Sequence, residues 1–497
     1  MKKNRHIAII GAGLGGLAAA IRLAVLGYKV DVYERHSQPG GKACLLETGG
    51  FKFDTGPSLL TMAFVLDEIF SFAGEHISDH LQITRLSRIC KYFFPDGTVL
   101  NAEANTRHFA EEIKAKTSDS ANSVLNYLEY CRGIYDATAE FFLHQSIHEP
   151  SMYFHSGILN FLGSIGRLDA MRTMNRAIAT FFKDPRTIQL FSRYATYTGS
   201  SPYQAPATYN IIPHVEYNMG SYVVSGGIWA ITVALYELAL KKGVNFFFNS
   251  PVDRIIINNR AVVGIIVNDE PEQYSTVVSN ADVHYTYRNL LGDTESRPAR
   301  RYARLEPSLS GVVFYWGVRG QYPELEINNI FFSSDYRKEF SDIFEKRICP
   351  DDPTIYVNIT SRYTSGMAPE GCENWFVLVN APYNANQDWS LELKRTRKRV
   401  FEKINHTLGT SLENRILVES SLTPPLIERN TNSKQGSIYG ISGNSRAAAF
   451  LRQANRSHHY KGLYFCGGSA HPGGGMPLVL LSGKITSELI QKFDTAD

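Results

Sequence analysis

The stretch Ile7-Ala8-Ile9-Ile10-Gly11-Ala12-Gly13-Leu14-Gly15-Gly16, with the apolar Leu17 to Leu23 behind it, leaves little freedom in how this chain begins to fold. The first four residues read as a buried strand, the glycines as a turn, and Leu17-Ala18-Ala19-Ala20-Ile21-Arg22-Leu23 as a helix. Gly11 permits the tight turn and Gly13 lets backbone approach a pyrophosphate. Gly16 lets helix pack on strand, so the helix N-terminus can hold phosphates. Glu34 lies eighteen residues past Gly16, at the end of the run KVDVYE, where a carboxylate can accept hydrogen bonds from a ribose. Strand, turn, helix and acid in register mark a dinucleotide-binding unit.

The residues after Glu34 choose between dinucleotides. Arg35-His36-Ser37-Gln38-Pro39-Gly40-Gly41-Lys42 carries a second glycine pair, which suits FAD better than NAD because it adds a backbone approach, through Gly41, to ribose and pyrophosphate. Arg35 or Lys42 supplies positive charge near phosphate oxygens. A solvated loop is the plainer alternative for either cation.

A chain of 497 residues is too long for one core and fits two intertwined domains. The formal net charge is only +3 and no basic stripe interleaves with aromatics, so nucleic acid is not an expected partner. Cys44, Cys90, Cys131, Cys349, Cys372 and Cys466 are scattered without a C-x-x-C pair, which reads as reduced thiols, with neither a disulfide frame nor a metal site. The start MKKNRH precedes the glycine fingerprint rather than a cleavage pattern, so it is not read as a secretory signal. No run of about eighteen apolar residues suggests a spanning helix. Aromatic residues make up 12% of the chain, enough to suggest a large apolar ligand surface beyond an ordinary core.

The expected fold class is α/β: a Rossmann-like FAD-binding domain (1–85, 215–300 and 425–497) interleaved with an α+β substrate domain (86–214 and 301–424). Within it, LQITRLSRICKYFFPDGTVL reads as a hairpin turning at Pro95-Asp96-Gly97, and helical spacing dominates 105–200. Tyr153 to Ile165 is apolar, aromatic and almost uncharged ahead of Arg167 and Arg172. It fits either a segment dipping into a bilayer surface or a buried helix with a basic end. The chain returns to the cofactor at Gly226-Gly227-Ile228-Trp229, which opens a helix. Val244 to Asn249 reads as a parallel strand, with Val252 just beyond it, where its backbone can read adenine. Val277 to Asn280 closes the small sheet. Gly311 to Trp316 and Trp375 to Val379 alternate as strands of an antiparallel sheet.

The last fifty residues carry the second strong signal. Leu463-Tyr464-Phe465-Cys466-Gly467-Gly468 is a strand running into glycines, and Pro472-Gly473-Gly474-Gly475-Met476-Pro477 runs into an apolar helix. Pro477 suits the first helical turn, where its missing N–H costs nothing. The glycines let a flat ring lie against backbone, and the positive end of the helix can stabilise an anionic reduced flavin.

Together the two ends resemble the flavin-dependent carotenoid desaturases, a branch of the amine-oxidase-like FAD proteins with an amine-oxidase-like or GDI-like architecture. The resemblance covers essentially the whole chain and looks closest to the bacterial 1-hydroxycarotenoid 3,4-desaturases. It is carried by FDTGPSLLTM (53–62), LFSRYATYTGSSPYQAPATYNIIPHVEYNMGSY (190–222), DPTIYVNITSRY (352–363) and GLYFCGGSAHPGGGMPLVLLSGK (462–484). It implies FAD as cofactor, with Glu34 on the adenosine ribose, and Lys42, Ser58 and Leu59 lining the flavin side. It also implies Val252 and Asn280 near the adenosine half, and Gly468, Gly475, Met476 and Pro477 at the isoalloxazine. The wider amine-oxidase group usually carries an Asp where this chain has Gly468, so backbone must substitute for that ribitol contact.

The implied reaction is C-3,4 desaturation of a 1-hydroxylated acyclic or monocyclic carotenoid, with quinone or oxygen reoxidising the flavin. The resemblance leaves open phytoene or diapophytoene desaturation, oxidation of a terminal methyl, and a non-catalytic prenyl-lipid carrier of GDI-like architecture. Because the cofactor performs the difficult step, the protein need only place a C–H against it and exclude water. No base is identified: Arg193, His214, Tyr217 and His471 are weak candidates, since His and Arg more often satisfy buried backbone or pair with carboxylates. A carotenoid does not dissolve in water, so a cytoplasmic protein peripherally associated with a membrane is expected.

Overall fold

In the computed structural model, which describes residues 6–149, 165–446 and 448–494, the first strand His6–Ile10 runs straight into the glycine turn and the helix Leu14–Val25. Ten of the twelve residues of that helix are buried: nine are Ala, Gly, Leu or Ile, and the tenth, Arg22, is paired with Glu68. The strand is central to a five-stranded parallel sheet ordered Asn245–Phe247, Lys29–Tyr33, His6–Ile10, Thr276–Ser279 and Leu463–Phe465. Strands of a parallel sheet covered on both faces read as continuous apolar runs, and Ile7 to Ile10 are all buried.

The C-terminal helix Met476–Asp494 crosses the first helix where both carry small residues. A Cβ on Gly483 would lie 2.7 Å from the Gly15 carbonyl oxygen and 2.8 Å from the Ala18 methyl. The two ends of the chain therefore meet backbone to backbone. The helix Gly227–Lys241 packs on the first helix as well. A meander of Val252–Asn258, Ala261–Val267 and Glu270–Gln273 follows, its first turn carrying Asn259 and Arg260 with positive φ.

A second, seven-stranded sheet runs Ile416–Leu422, Ser310–Arg319, Cys372–Ala381, Ile355–Asn358, Asn328–Phe331, Arg88–Phe93 and Val99–Glu103. It is antiparallel except where Asn328–Phe331 meets Arg88–Phe93 in parallel. The hairpin expected around Pro95 thus extends the sheet formed by residues 310–422. A short three-stranded sheet, Leu60–Thr61, Ser221–Val224 and Ile83–Arg85, joins segments that the sequence reading had assigned wholly to the cofactor side.

Helices Thr106–Lys116, Ala121–Phe142 and Pro185–Ser192 close over the hairpin. Their core is aromatic: Phe182 stacks on Phe191 at 5.1 Å and Phe109 on Tyr217 at 4.8 Å. This part of the aromatic surplus is core packing and not a ligand surface. The segment Tyr153 to Ser164, weighed above as a bilayer-dipping stretch, lies outside the described residues. No helix among them is long and apolar enough to cross a membrane.

Candidate active site

Gly11 has φ +97° and donates its N–H to the Tyr33 carbonyl at 2.8 Å, locking the turn to the neighbouring strand. A Cβ on Gly16 would lie 2.2 Å from the Gly11 carbonyl oxygen, and one on Gly13 would lie 3.0 Å from Asn280 Nδ2. Only glycine permits these approaches. Gly13 is the N-cap of the first helix, and no side chain caps it, which leaves the positive end of the helix to a phosphate. Gly40 bridges to Gly13, and a Cβ on Gly41 would stand 3.4 Å from the Gly13 Cα. The second glycine pair closes on the first.

Glu34 is buried at the mouth of this turn. Its Oε2 accepts from the Ala12 N–H at 2.8 Å and its Oε1 from the His36 N–H at 3.0 Å, so both oxygens are held facing the turn, with lone pairs to spare for ribose hydroxyls. The segment leading to Val252 runs alongside: Asn249 N–H donates to the His36 carbonyl at 3.0 Å and Ser250 N–H to the Glu34 carbonyl at 2.9 Å. Val252 itself starts the meander opposite Val267.

Three of the expected residues have partners within the protein. Asn280, expected near the adenosine half, donates from Nδ2 to the Gly11 carbonyl at 3.1 Å, and its side chain lies against Gly13, Gly16 and Gly467. It is a clip beneath the glycine turn. Arg35 donates to the Asn432 Oδ1 at 2.8 Å and to the Arg429 carbonyl, at the C-terminal end of the helix Pro424–Thr431, where a cation meets the negative end of the helix dipole. Lys42 Nζ donates to the carbonyls of Ile438 at 2.7 Å and Ser437 at 3.1 Å. Burial lowers its pKa to about 8, against the pull of the Asp282 carboxylate.

At the other end of the cradle, Gly467 (φ +91°) presses on Asn280, and a Cβ on Gly468 would meet nothing closer than 3.6 Å. Gly475 has φ +108°, and a Cβ there would project into open space with no atom within 4 Å. Met476 and Pro477 then open the C-terminal helix. Open space at Gly475 ahead of a helix N-terminus, together with the Gly11–Gly16 turn and Glu34, suits a flavin dinucleotide.

Ser58 and Leu59 stand on the side facing the second sheet. Ser58 Oγ and Tyr356 OH are 2.7 Å apart, Tyr356 OH donates to Asn328 Oδ1 at 2.7 Å, and Asn358 Nδ2 donates to the same oxygen at 2.9 Å. Leu59 packs beside Leu86, Val223 and Ile327. The sequence reading missed this polar chain. Its signal was the asparagine closing the apolar run IYVN, since buried polar groups are retained where they are partnered.

Of the four weak base candidates, Arg193, His214 and His471 hold side-chain polar contacts, and the Tyr217 hydroxyl has none among the described residues. Arg193 Nη2 pairs with Glu216 Oε1 at 2.8 Å and donates to Tyr92 OH at 2.6 Å. Tyr194 and Tyr197 donate to the same carboxylate at 2.6 Å each, and burial raises both phenols well above their ordinary pKa. Tyr217 is buried in the aromatic stack of this cluster. His214 Nδ1 lies 2.8 Å from Asn218 Nδ2, and burial lowers its pKa. His471 Nε2 lies 2.9 Å from the Gln145 carbonyl oxygen, and burial pushes its pKa down to about 3. Arg193 and Tyr217 share one core around Glu216, whereas His471 ties the C-terminal segment to residue 145.

Fold and site together define an FAD-binding oxidoreductase. The chain belongs to the flavin-containing amine oxidoreductase family, whose profile matches residues 14–491. It is 40% identical over 482 residues to the 1-hydroxycarotenoid 3,4-desaturase of a Flavobacterium species, covering 97% of this chain and 98% of that protein. It is 34% identical over 492 residues to the 4,4'-diaponeurosporene oxygenase of Staphylococcus aureus, covering 98% of each. Among solved structures, putrescine oxidase bound to putrescine has the same fold at 13% identity and a TM-score of 0.64, over 98% of this chain and 99% of that one. An oxidoreductase from Methanosarcina mazei does so at 17% identity and a TM-score of 0.64, over 97% and 100%.

Proposed function

We propose that this enzyme is a carotenoid desaturase that acts on CH–CH groups and introduces a C-3,4 double bond into 1-hydroxylated acyclic or monocyclic carotenoids. The observation that carries the reading is the 40% identity to a 1-hydroxycarotenoid 3,4-desaturase, which extends over 97% of the chain and so spans both sheets. FAD, when bound, supplies the acceptor for a hydride. The substrate loses that hydride from allylic C4 and a proton from C3, and the electron pair of the C3–H bond becomes the new double bond. After hydride loss the positive charge spreads along the polyene, so the neighbouring proton is acidic enough for a water or a weak base.

The residues of the chain bind, orient and shield. Glu34 and the Gly11–Gly16 turn hold the adenosine and phosphate end, and Gly468, Gly475, Met476 and Pro477 leave room for the ring. The Ser58–Tyr356–Asn328 chain is the polar partner for a substrate hydroxyl, because an unpaired buried hydroxyl costs about 1–3 kcal/mol. Arg193 and His214 are tied to Glu216 and Asn218, His471 to the Gln145 carbonyl through Nε2, and Tyr217 is held by its aromatic neighbours with its hydroxyl unpaired among the described residues. The site takes its substrate from a membrane surface and passes electrons on to quinone or oxygen.

One alternative keeps a specific support: the 34% identity to 4,4'-diaponeurosporene oxygenase favours oxidation at a terminal carbon. The purified holoenzyme, given a 1-hydroxylated and an unmodified carotenoid separately, separates the two. Loss of two hydrogens from the hydroxylated substrate alone, with a red-shifted polyene spectrum, is expected. Equal turnover of both substrates, or an oxygenated terminal product, overturns the C-3,4 reading. The flavoprotein family and the open ring recess count against a carrier without redox work.

A further inference from the structure

A guanidinium taken out of water is costly unless a carboxylate or another anion meets it. Among the described residues three arginines are 5% exposed or less: Arg22 at 2%, and Arg193 and Arg452 at 5%. Arg22 pairs with Glu68 and Arg193 with Glu216. Arg452 has no such partner among the described residues. Its Nη1 donates to the carbonyls of Gly468 at 3.0 Å and Tyr439 at 3.1 Å, and its Nη2 reaches the Ile441 carbonyl at 3.5 Å. Burial accordingly lowers its pKa, opposed only by the phenols of Tyr209 and Tyr302.

The place of this charge is as telling as its isolation. A Cβ on Gly473 would lie 3.1 Å from Arg452 Nε, and one on Gly474 would lie 2.9 Å from the Tyr439 ring. The guanidinium therefore fastens the Tyr439–Ile441 segment to Gly468 and Gly473, directly behind the glycines that precede the C-terminal helix. Carbonyl dipoles orient an arginine, but they leave its full charge uncompensated.

We propose that Arg452 is a positioning residue whose uncompensated charge is met by the flavin: it shapes the ring recess and favours the reduced cofactor. Uptake of a hydride adds two electrons and one proton, so the flavin gains one negative charge, and a fixed cation beside it lowers the energy of that form. The proposal rests on the flavin occupying the Gly468–Pro477 recess and is independent of which carotenoid is the substrate.

The test compares holoenzymes carrying Arg452→Lys, which keeps the charge, and Arg452→Gln, which keeps amide donors without it. The readout is the flavin midpoint potential, measured by equilibration with a redox dye. In Arg452→Gln the preference for reduced over oxidised flavin should fall at least tenfold, about 30 mV for a two-electron couple, while Arg452→Lys stays close to the unmodified enzyme. If Arg452→Gln purifies without flavin and Arg452→Lys keeps it, the charge requirement is likewise supported. Equal potentials in all three proteins, an equal fall in both variants, or flavin loss from both, overturns the proposal, because hydrogen bonding or packing alone would then account for Arg452.

Discussion

Neutralising Glu216 probes how the helical half of the molecule is held. The carboxylate receives the Arg193 guanidinium at 2.8 Å and the hydroxyls of Tyr194 and Tyr197 at 2.6 Å each, and Glu216 is 1% exposed. Glu216→Gln is nearly isosteric. It leaves Arg193 without an acid and turns one acceptor oxygen into a donor facing a phenol. Two unit charges about 4 Å apart at an effective dielectric near 20 attract by about 4 kcal/mol, and breaking one side of a buried pair costs about 3–5 kcal/mol. The expected loss of stability is therefore about 3–5 kcal/mol, read as a lower urea midpoint of the holoenzyme followed by far-UV circular dichroism. Removing both charges, in Arg193→Met with Glu216→Leu, should not recover it, because the buried hydroxyls of Tyr92, Tyr194 and Tyr197 then lose partners at about 1–3 kcal/mol each. A loss below about 1 kcal/mol in Glu216→Gln, or a double variant as stable as the unmodified enzyme, would refute the reasoning.

Gly16→Ala places a methyl 2.2 Å from the Gly11 carbonyl oxygen, an overpacking that costs about 1–3 kcal/mol. The variant should purify with little flavin, seen in the ratio of 450 nm to 280 nm absorbance. Gly27→Ala, whose Cβ meets no atom within 4 Å, should keep its flavin and lose only about 1–2 kcal/mol to its positive φ; flavin retention in both variants would contradict the close-approach reading. The third prediction concerns pH. His471 titrates near 3 when folded because of burial, and near 6.5 when unfolded. Between those values the unfolded chain binds more protons, so this contribution to stability is complete above pH 6.5 and is lost as pH falls, by about 1.4 kcal/mol per unit. His471→Gln should flatten the fall of melting temperature between pH 6.5 and 4.5, and parallel curves for the two proteins would count against it.

Much of the cofactor unit was legible because its demands are local. A strand needs an apolar run, a turn at φ +97° needs Gly11, and a helix packed on it needs small residues at Gly15, Gly16 and Ala18; all of these are neighbours in sequence. The same holds for Gly475, Met476 and Pro477, where glycine freedom and the N-terminal tolerance of proline mark a helix start. Charge was harder to read. Arg35 and Lys42 looked alike as loop cations beside the phosphates, yet Lys42 reaches Ile438 across 396 positions and Arg35 reaches Asn432 across 397. Arg193 and His471 looked like candidates for chemistry, and their partners are a carboxylate and a carbonyl that no spacing rule connects to them.

By itself the sequence determined the dinucleotide unit, the glycine-rich entry to the C-terminal helix and the alternation of two sheets, because backbone conformation and periodic burial are written in adjacent residues. Tertiary structure alone decided that Asn280 clips the first turn from 269 positions away. It also decided that Ser58 meets Tyr356, and that Arg452 stands buried without an acid among the described residues while Arg22 and Arg193 each have one. Compensation of charge and close approach of backbones depend on groups that only folding brings within a few ångströms of each other.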